Sequence, residues 1–151
     1  MKRLLIGLLF LAACRTGAPP AVRPYLAAIS VPNLDQAIDW YRTNLDFQLL
    51  SRNDYPDAQL SIAILERDSF RLELVRHDKA VARPGDNPAL LYGFGKLAFW
   101  VDDVDRWLAR FRRGGATFQL EPRDNAAQGT RSFIVLDPAG TWIQITGLRA
   151  G

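Results

Sequence analysis

A stretch near the start of this chain returns seventy residues later in the same pattern. Ala28-Ile-Ser-Val31-Pro-Asn-Leu34-Asp-Gln-Ala37-Ile38-Asp-Trp-Tyr41 is matched without a gap by Ala98-Phe-Trp-Val101-Asp-Asp-Val104-Asp-Arg-Trp107-Leu108-Ala-Arg-Phe111. Each copy is a short alternating apolar stretch, a polar corner, then apolar residues at helical spacing. The ends keep step too: Leu72-Glu73-Leu74 closes the first copy and Ile143-Gln144-Ile145 the second. Self-similarity at a fixed period speaks to architecture before any local assignment. A strand-helix-strands unit used twice is expected to build a shared cavity.

In the first copy, Leu26–Val31 is expected as a strand. Asn33 caps a helix, with Gln36 three residues on completing a capping box. Leu34, Ala37, Ile38, Tyr41 and Leu45 form one apolar stripe. Strands are expected at Phe47–Arg52, Gln59–Leu65 and Phe70–Arg76, with a turn over Asn53–Pro56 and a tight hairpin at Arg67-Asp68-Ser69. A loop over Asp78–Phe94 joins the copies. The second copy gives strand Lys96–Val101, helix Val104–Arg113, a Gly114-Gly115 stop, and strands Thr117–Glu121, Arg131–Leu136 and Thr141–Thr146. Asp137-Pro-Ala-Gly140 has turn chemistry. The pattern is βαβββ twice, an α+β fold with a curved mixed sheet around one cavity.

The N-terminus has the marks of a processing signal. Met1-Lys2-Arg3 is basic, Leu4 to Leu11 is a short apolar core, and Leu11-Ala-Ala-Cys14 follows. The core is about half of the ~20 residues that a membrane span needs. The box resembles a bacterial lipobox, which implies lipidation of Cys14; a plain secretory signal or a buried helix is the alternative. The expected division is a signal over residues 1–13, lipidated Cys14 and tether over 14–24, and a domain over 25–147. Within that domain, module one takes 25–77, the linker 78–94 and module two 95–147, leaving a tail at 148–151. Losing Lys2 and Arg3 takes the net charge from +3 almost to neutral, which removes the case for a nucleic-acid partner. The expected location is the bacterial cell envelope. Arg15 after the cysteine, rather than Asp, favours the outer membrane on its periplasmic side.

The order of the pieces resembles the vicinal oxygen chelate superfamily, the group of glyoxalase I, bleomycin-resistance proteins and extradiol dioxygenases. The resemblance covers roughly Pro24 to Gly147. It is carried by Val31-Pro-Asn-Leu-Asp, Trp40-Tyr41, Leu45-Asp46-Phe47, Val101-Asp-Asp-Val104 and Leu136-Asp-Pro-Ala-Gly140 before Trp142-Ile-Gln-Ile145. Asp46 stands where the family usually has Gly; aspartate tolerates a left-handed backbone better than most residues.

Metal-binding members of that family place a ligand on the first and last strand of each module. Carried over, these positions are Leu26, Glu73, Lys96 and Gln144. Leucine cannot coordinate, an ammonium repels a divalent ion, and glutamine offers one neutral oxygen. A catalytic transition metal needs about three protein ligands, so neither a metal site nor another cofactor is expected. His77, the only histidine, occupies no ligand position; a surface or satisfied role is the plainer account.

Strand parity sends Phe70, Leu72, Leu74, Leu97, Phe99, Ile143 and Ile145 toward the helices. Arg71, Glu73, Val75, His77, Lys96, Ala98, Trp100, Trp142, Gln144 and Thr146 then share the cavity face with Leu26, Ala28 and Ser30. The expected ligand contacts are Leu26, Arg71, Glu73, Lys96, Trp100, Trp142 and Gln144: apolar walls with a few orienting polar groups. Against this stands an ion pair of Lys96 with Glu73 filling a vacated metal site. Asp102, Asp103 and Asp105 are expected to cap a helix rather than bind Ca²⁺, and Arg106, Arg110, Arg112 and Arg113 to form a solvated face.

Three functions remain open. The first is a lipid-anchored, metal-free binder of a small molecule, as in the bleomycin-resistance branch. The second is a lyase, isomerase or hydrolase with Glu73 as base and Lys96 or Arg71 as stabiliser. The third is a structural envelope role. Expected partners are a small molecule and a membrane reached through Cys14; pairing of two chains as a homodimer is left open.

Overall fold

Apolar alternation and two capped amphipathic helices give the architecture of the computed structural model, which describes residues 23–90 and 92–149. The expected signal over residues 1–13 and Cys14 lie outside the described residues. The order is β1 (Leu26–Ser30), α1 (Leu34–Leu45), β2 (Gln48–Tyr55), β3 (Leu60–Arg67), β4 (Phe70–His77), β5 (Lys96–Trp100), α2 (Val104–Arg113), β6 (Phe118–Asn125), β7 (Thr130–Leu136) and β8 (Trp142–Leu148). This is βαβββ twice, as two four-stranded mixed sheets ordered β1-β4-β3-β2 and β5-β8-β7-β6. In each, the first strand runs parallel to the last and the other pairs are antiparallel. The doubling extends to single bonds: Val31 N–H donates to Val75 O and Val101 N–H to Thr146 O, both at 2.8 Å.

The helices begin as their sequences require. The Asn33 side chain accepts the Gln36 amide at 3.0 Å, and Asp103 accepts the Arg106 amide at 2.9 Å. Each bond satisfies one donor that a helix start leaves orphaned. Thus Asp103 is a cap, as expected. The α1 stripe is buried along its length, from Leu34 to Leu45. Asp46 then turns the chain at φ 55°, in the left-handed region that its residue type tolerates.

The boundaries differ from expectation where strands are polar. β2 runs to Tyr55 instead of ending at Arg52, and its turn is Pro56–Ala58. β6 runs to Asn125 instead of Glu121. β2 is exposed along its whole length, so no inside-outside alternation marks its end. Phe47, expected to open β2, is instead a buried core residue just before it.

One apolar core joins the modules through their helix-bearing sides. Phe99 of β5 meets Phe70 of β4 at 5.8 Å between ring centres and Phe47 at 6.2 Å, both edge to face. Trp40 of α1 meets Phe111 of α2 at 6.1 Å. Such ring pairs contribute about 0.5–1.5 kcal/mol each beyond area burial. No described helix is long and apolar enough to cross a membrane.

Candidate functional site

Burial follows the expected strand parity. Leu72, Leu74, Ile143 and Ile145 are fully buried, whereas Arg71, Glu73, Trp142 and Gln144 between them are half-exposed. Leu26 is half-exposed, and Ala28, Lys96, Ala98 and Trp100 are exposed. The side of each sheet away from the core therefore carries the candidate residues.

On the first sheet, Glu73 lies opposite Ala28 of β1 and Ile64 of β3. Its carboxylate makes no hydrogen bond or ion pair with the described residues. Arg71, one of the expected ligand contacts, is engaged within the chain: its Nε donates to Glu66 Oε2 at 2.7 Å, and its guanidinium lies 5.6 Å from the centre of the Tyr25 ring. Glu66 escaped the sequence reading, although a signal for it exists. The two-residue turn Asp68-Ser69 sets the β3–β4 register and puts Glu66 across from Arg71. His77 Nδ1 accepts the Lys79 amide at 3.0 Å and closes the turn after β4, a satisfied role.

On the second sheet, β5 and β8 place Lys96 opposite Trp142 and Ala98 opposite Gln144. Lys96 Nζ donates to Gln144 Oε1, and Gln144 Nε2 donates to Thr146 Oγ1 at 2.7 Å. The alternative of a Lys96–Glu73 ion pair is not what forms: lysine's partner is the glutamine on its own sheet. It also tests the metal set. The only Gln144 oxygen is held by an ammonium, and Leu26 has no donor atom, so these residues do not fit a catalytic metal. Among the described residues, no three His, Cys, Asp or Glu side chains converge.

What the row offers is a cation with two of its three N–H donors unspent. Trp142 lies across from Lys96, and Trp100, 61% exposed, lies across from Thr146 at the other end of the row. Trp142, across from Lys96 in register, has its Nε1 buried with no hydrogen-bond partner among the described residues. Trp100 also lines the clefts where the modules meet.

Of the α2 arginines expected on a solvated face, Arg106, Arg112 and Arg113 are exposed, and Arg110 departs from the expectation. Arg110 forks the Asp46 carboxylate, with Nη1 to Oδ2 at 2.6 Å, and reaches Thr43 O. That bond holds the Asp46 carboxyl below its ordinary value. Arg112 pairs with Glu121 at 3.2 Å and lies over Phe118. A charge run in sequence does not distinguish such ties from solvation, because the partners come from distant elements.

Comparison with known proteins agrees with this geometry. A family model described as Glyoxalase/Bleomycin resistance protein/Dioxygenase superfamily matches residues 24–145. Over 127 residues the chain is 30% identical to a Neisseria meningitidis serogroup A protein named lactoylglutathione lyase, covering 82% of this chain and 88% of that one. A glyoxalase family protein from Enterococcus faecalis superposes with a TM-score of 0.71 at 23% identity, over 82% of this chain and 96% of that chain. Glyoxalase I from Zea mays gives 0.69 at 24% identity over 85% of this chain, which spans 45% of that longer one. At these identities the two structures speak to fold alone.

Proposed function

We propose that this chain, which belongs to the Glyoxalase/Bleomycin resistance protein/Dioxygenase superfamily, binds a small molecule on the open face of its sheets without a metal ion. The observation that carries this reading is the Lys96–Gln144–Thr146 row. Its free ammonium donors suit an anionic or strongly accepting group, and Trp100 and Trp142 supply flat apolar surface beside it. The binder is held at the bacterial cell envelope by acylated Cys14, on the periplasmic side of the outer membrane. A second copy of the chain is the natural cover for the open faces, because β1 and β4 carry half-exposed Leu26 and Val75 around Glu73.

One observation favours a second reading. Glu73 is a half-exposed carboxylate with no partner among the described residues, and such a carboxylate on an open face is available as a base. The relative from Neisseria meningitidis is named a lyase, so a metal-independent lyase or isomerase with Glu73 as base and Lys96 as electrostatic stabiliser is the enzymatic alternative.

Native mass spectrometry of the full chain in detergent, read for a copurifying small molecule, tests the binder. Loss of that molecule in Lys96→Gln supports the reading; its retention places the ligand elsewhere and sinks it. Glu73→Gln separates the two roles. A binder loses affinity and has no turnover to lose, whereas an enzyme keeps the complex and stops releasing product.

A further inference from the structure

The duplicated scaffold makes two equivalent seams between the modules, and they have diverged. At one, the end of β5 and the start of α2 meet the β3–β4 turn. At the other, the end of β1 and the start of α1 meet the β7–β8 turn. The repeat supplies its own control, residue against residue. Phe99, Trp100 and Trp107 at the first seam stand where Ile29, Ser30 and Ala37 stand at the second. Phe70 opens β4 where Thr141 precedes β8. Phe47 matches Ala116, since their amides bond the equivalent carbonyls of Tyr41 and Phe111. Arg67 matches Asp137. At the second seam the counterparts are small, Ala37 fully buried and Thr141 nearly so, and Ile29, Ser30 and Thr141 line an open cleft of about 580 Å³ rather than an aromatic cavity. The two seams thus differ in what they expose: aromatic rings at the first, small residues at the second.

Those rings do not close their seam. They line a cavity of about 160 Å³, together with Leu45, Val101 and Arg67. That is close to the ~150 Å³ of an apolar cavity that takes one benzene molecule. Arg67 lies across the mouth, its guanidinium carbon 5.0 Å from the centre of the Trp107 ring and its Nη1 donating to Leu45 O at 2.7 Å. Beyond it opens a polar cleft of about 610 Å³ that shares Arg67, Trp100 and Trp107 as walls. Four arginines and four aspartates line it, and they are not all paired with one another. Asp46 is taken by Arg110, Asp68 lies 3.7 Å from Arg67, and Asp103 caps α2. Among the described residues the Arg106 and Arg113 guanidiniums have no side-chain partner, and Asp102 and Asp103 have no ion-pair partner, Asp103 accepting only the Arg106 amide.

We infer that this seam is a second ligand site, separate from the Lys96 row, and that it takes a small aromatic carboxylate. The ring fills the aromatic cavity and the carboxylate emerges past Arg67 toward Arg106. A guanidinium is the side chain best shaped to meet a carboxylate, through two parallel N–H bonds. The neutral arene alone would fill the cavity and leave the arginines unused.

Benzoate is the probe, titrated into the full chain in detergent micelles by calorimetry, with amide shifts mapped by NMR. Saturable binding is expected, with shifts at Ser69, Val101 and the Trp107 indole, and binding of benzyl alcohol about tenfold weaker, which is the loss of one charged hydrogen bond. Ser69→Leu, which fills the cavity, abolishes benzoate binding. Arg106→Gln, on the surface of α2 and harmless to folding, weakens it by about fivefold. Shifts confined to Ala98 and Gln144, equal affinity in Arg106→Gln, or no binding at millimolar benzoate would each overturn the assignment. The first of these outcomes would leave the binder proposed for the Lys96 row standing.

Discussion

The Tyr41 hydroxyl on α1 of the first module donates to Asp137 Oδ2, in the β7–β8 turn of the second, at 2.8 Å inside the core. The other carboxylate oxygen accepts the amides of Ala139 at 2.9 Å and Thr141 at 2.7 Å. One side chain thus shapes a turn and ties that turn to the other module. At the opposite seam the equivalent residues are Phe111 and Arg67, which make no such bond. Tyr41→Phe should therefore act on the joint between modules. Removing the donor leaves a buried carboxylate oxygen unpaired, at a cost of about 1–3 kcal/mol. Urea denaturation measures it as a lower midpoint at unchanged slope; a loss below about 0.5 kcal/mol would show the bond to be incidental.

The same pair sets a pH dependence of definite sign. Burial raises the Asp137 carboxyl above its ordinary value of 3.8, even though its hydrogen bonds to Thr141, Tyr41 and Ala139 pull it down. A raised carboxyl binds its proton more tightly folded than unfolded. Its contribution is fully present below 3.8 and is lost as pH rises through the folded value. Tyr41 is raised well above 10.0, by burial first and then by the Asp137 charge. Its contribution holds below 10.0 and is lost as pH climbs beyond. Stability measured across pH 9–12 should fall steeply in the parent chain and less steeply in Tyr41→Phe. Parallel curves would mean that Tyr41 is not the group responsible.

Gly147, in β8, touches the loop that leads into α2. A Cβ there would sit 2.3 Å from the Val101 carbonyl oxygen and 2.8 Å from Val104 Cγ2. The nearer atom is backbone, itself accepting no freedom from a strand end that bonds Thr146. Gly147→Ala should cost about 1–3 kcal/mol, the usual range for overpacking. Thermal unfolding checks it, and an unchanged midpoint would show that β8 can move away.

Asp46 shows what sequence could and could not reveal. Its left-handed conformation follows from its place after an amphipathic helix, where glycine or a short polar residue is usual. Its partner Arg110 lies 64 residues away and looks like one more cation on a charged helix. The parity of Leu72, Glu73 and Leu74 was legible because one face of β4 is sealed by the core. The Arg71–Glu66 and Lys96–Gln144 bonds were not, because both neighbours had to be known in register first. The aromatic seam was hidden for a similar reason: Phe47, Phe70, Phe99 and Trp107 each satisfy the core pattern alone, and only their common cavity distinguishes them. Replacing Asp46 by Gly relieves the backbone but frees Arg110, an exposed pair worth about 0.2–1 kcal/mol. The two effects oppose, so Asp46→Gly should change stability by less than about 1 kcal/mol. Its salt dependence should shrink, because the screened pair is gone; equal salt dependence in both chains would contradict the pairing.

The acylation proposed at Cys14 makes a prediction that does not depend on the fold. Labelled palmitate fed to bacteria expressing the chain should enter the protein and sediment with membranes, and Cys14→Ser should abolish both. A Cys14→Ser chain that still sediments with membranes would point to attachment by another route.

The donor chemistry of the ligand positions carries the last expectation. A Zn²⁺ or Ni²⁺ ion bound to the native state at a hundredfold over its Kd would add about 2.7 kcal/mol. For a domain of roughly this size that is a rise of several degrees in Tm, at about 2–8 °C per kcal/mol. Neither ion should produce such a rise here. Gln144 has turned its oxygen to the Lys96 ammonium, and drawing it away would leave a cation facing a cation. Leu26 offers nothing in exchange. Lys96→Met removes the repulsion but adds no oxygen or nitrogen donor, so it should remain insensitive to both ions. A saturable shift in the parent chain that disappears in Glu73→Gln would show that the metal set survives in altered form.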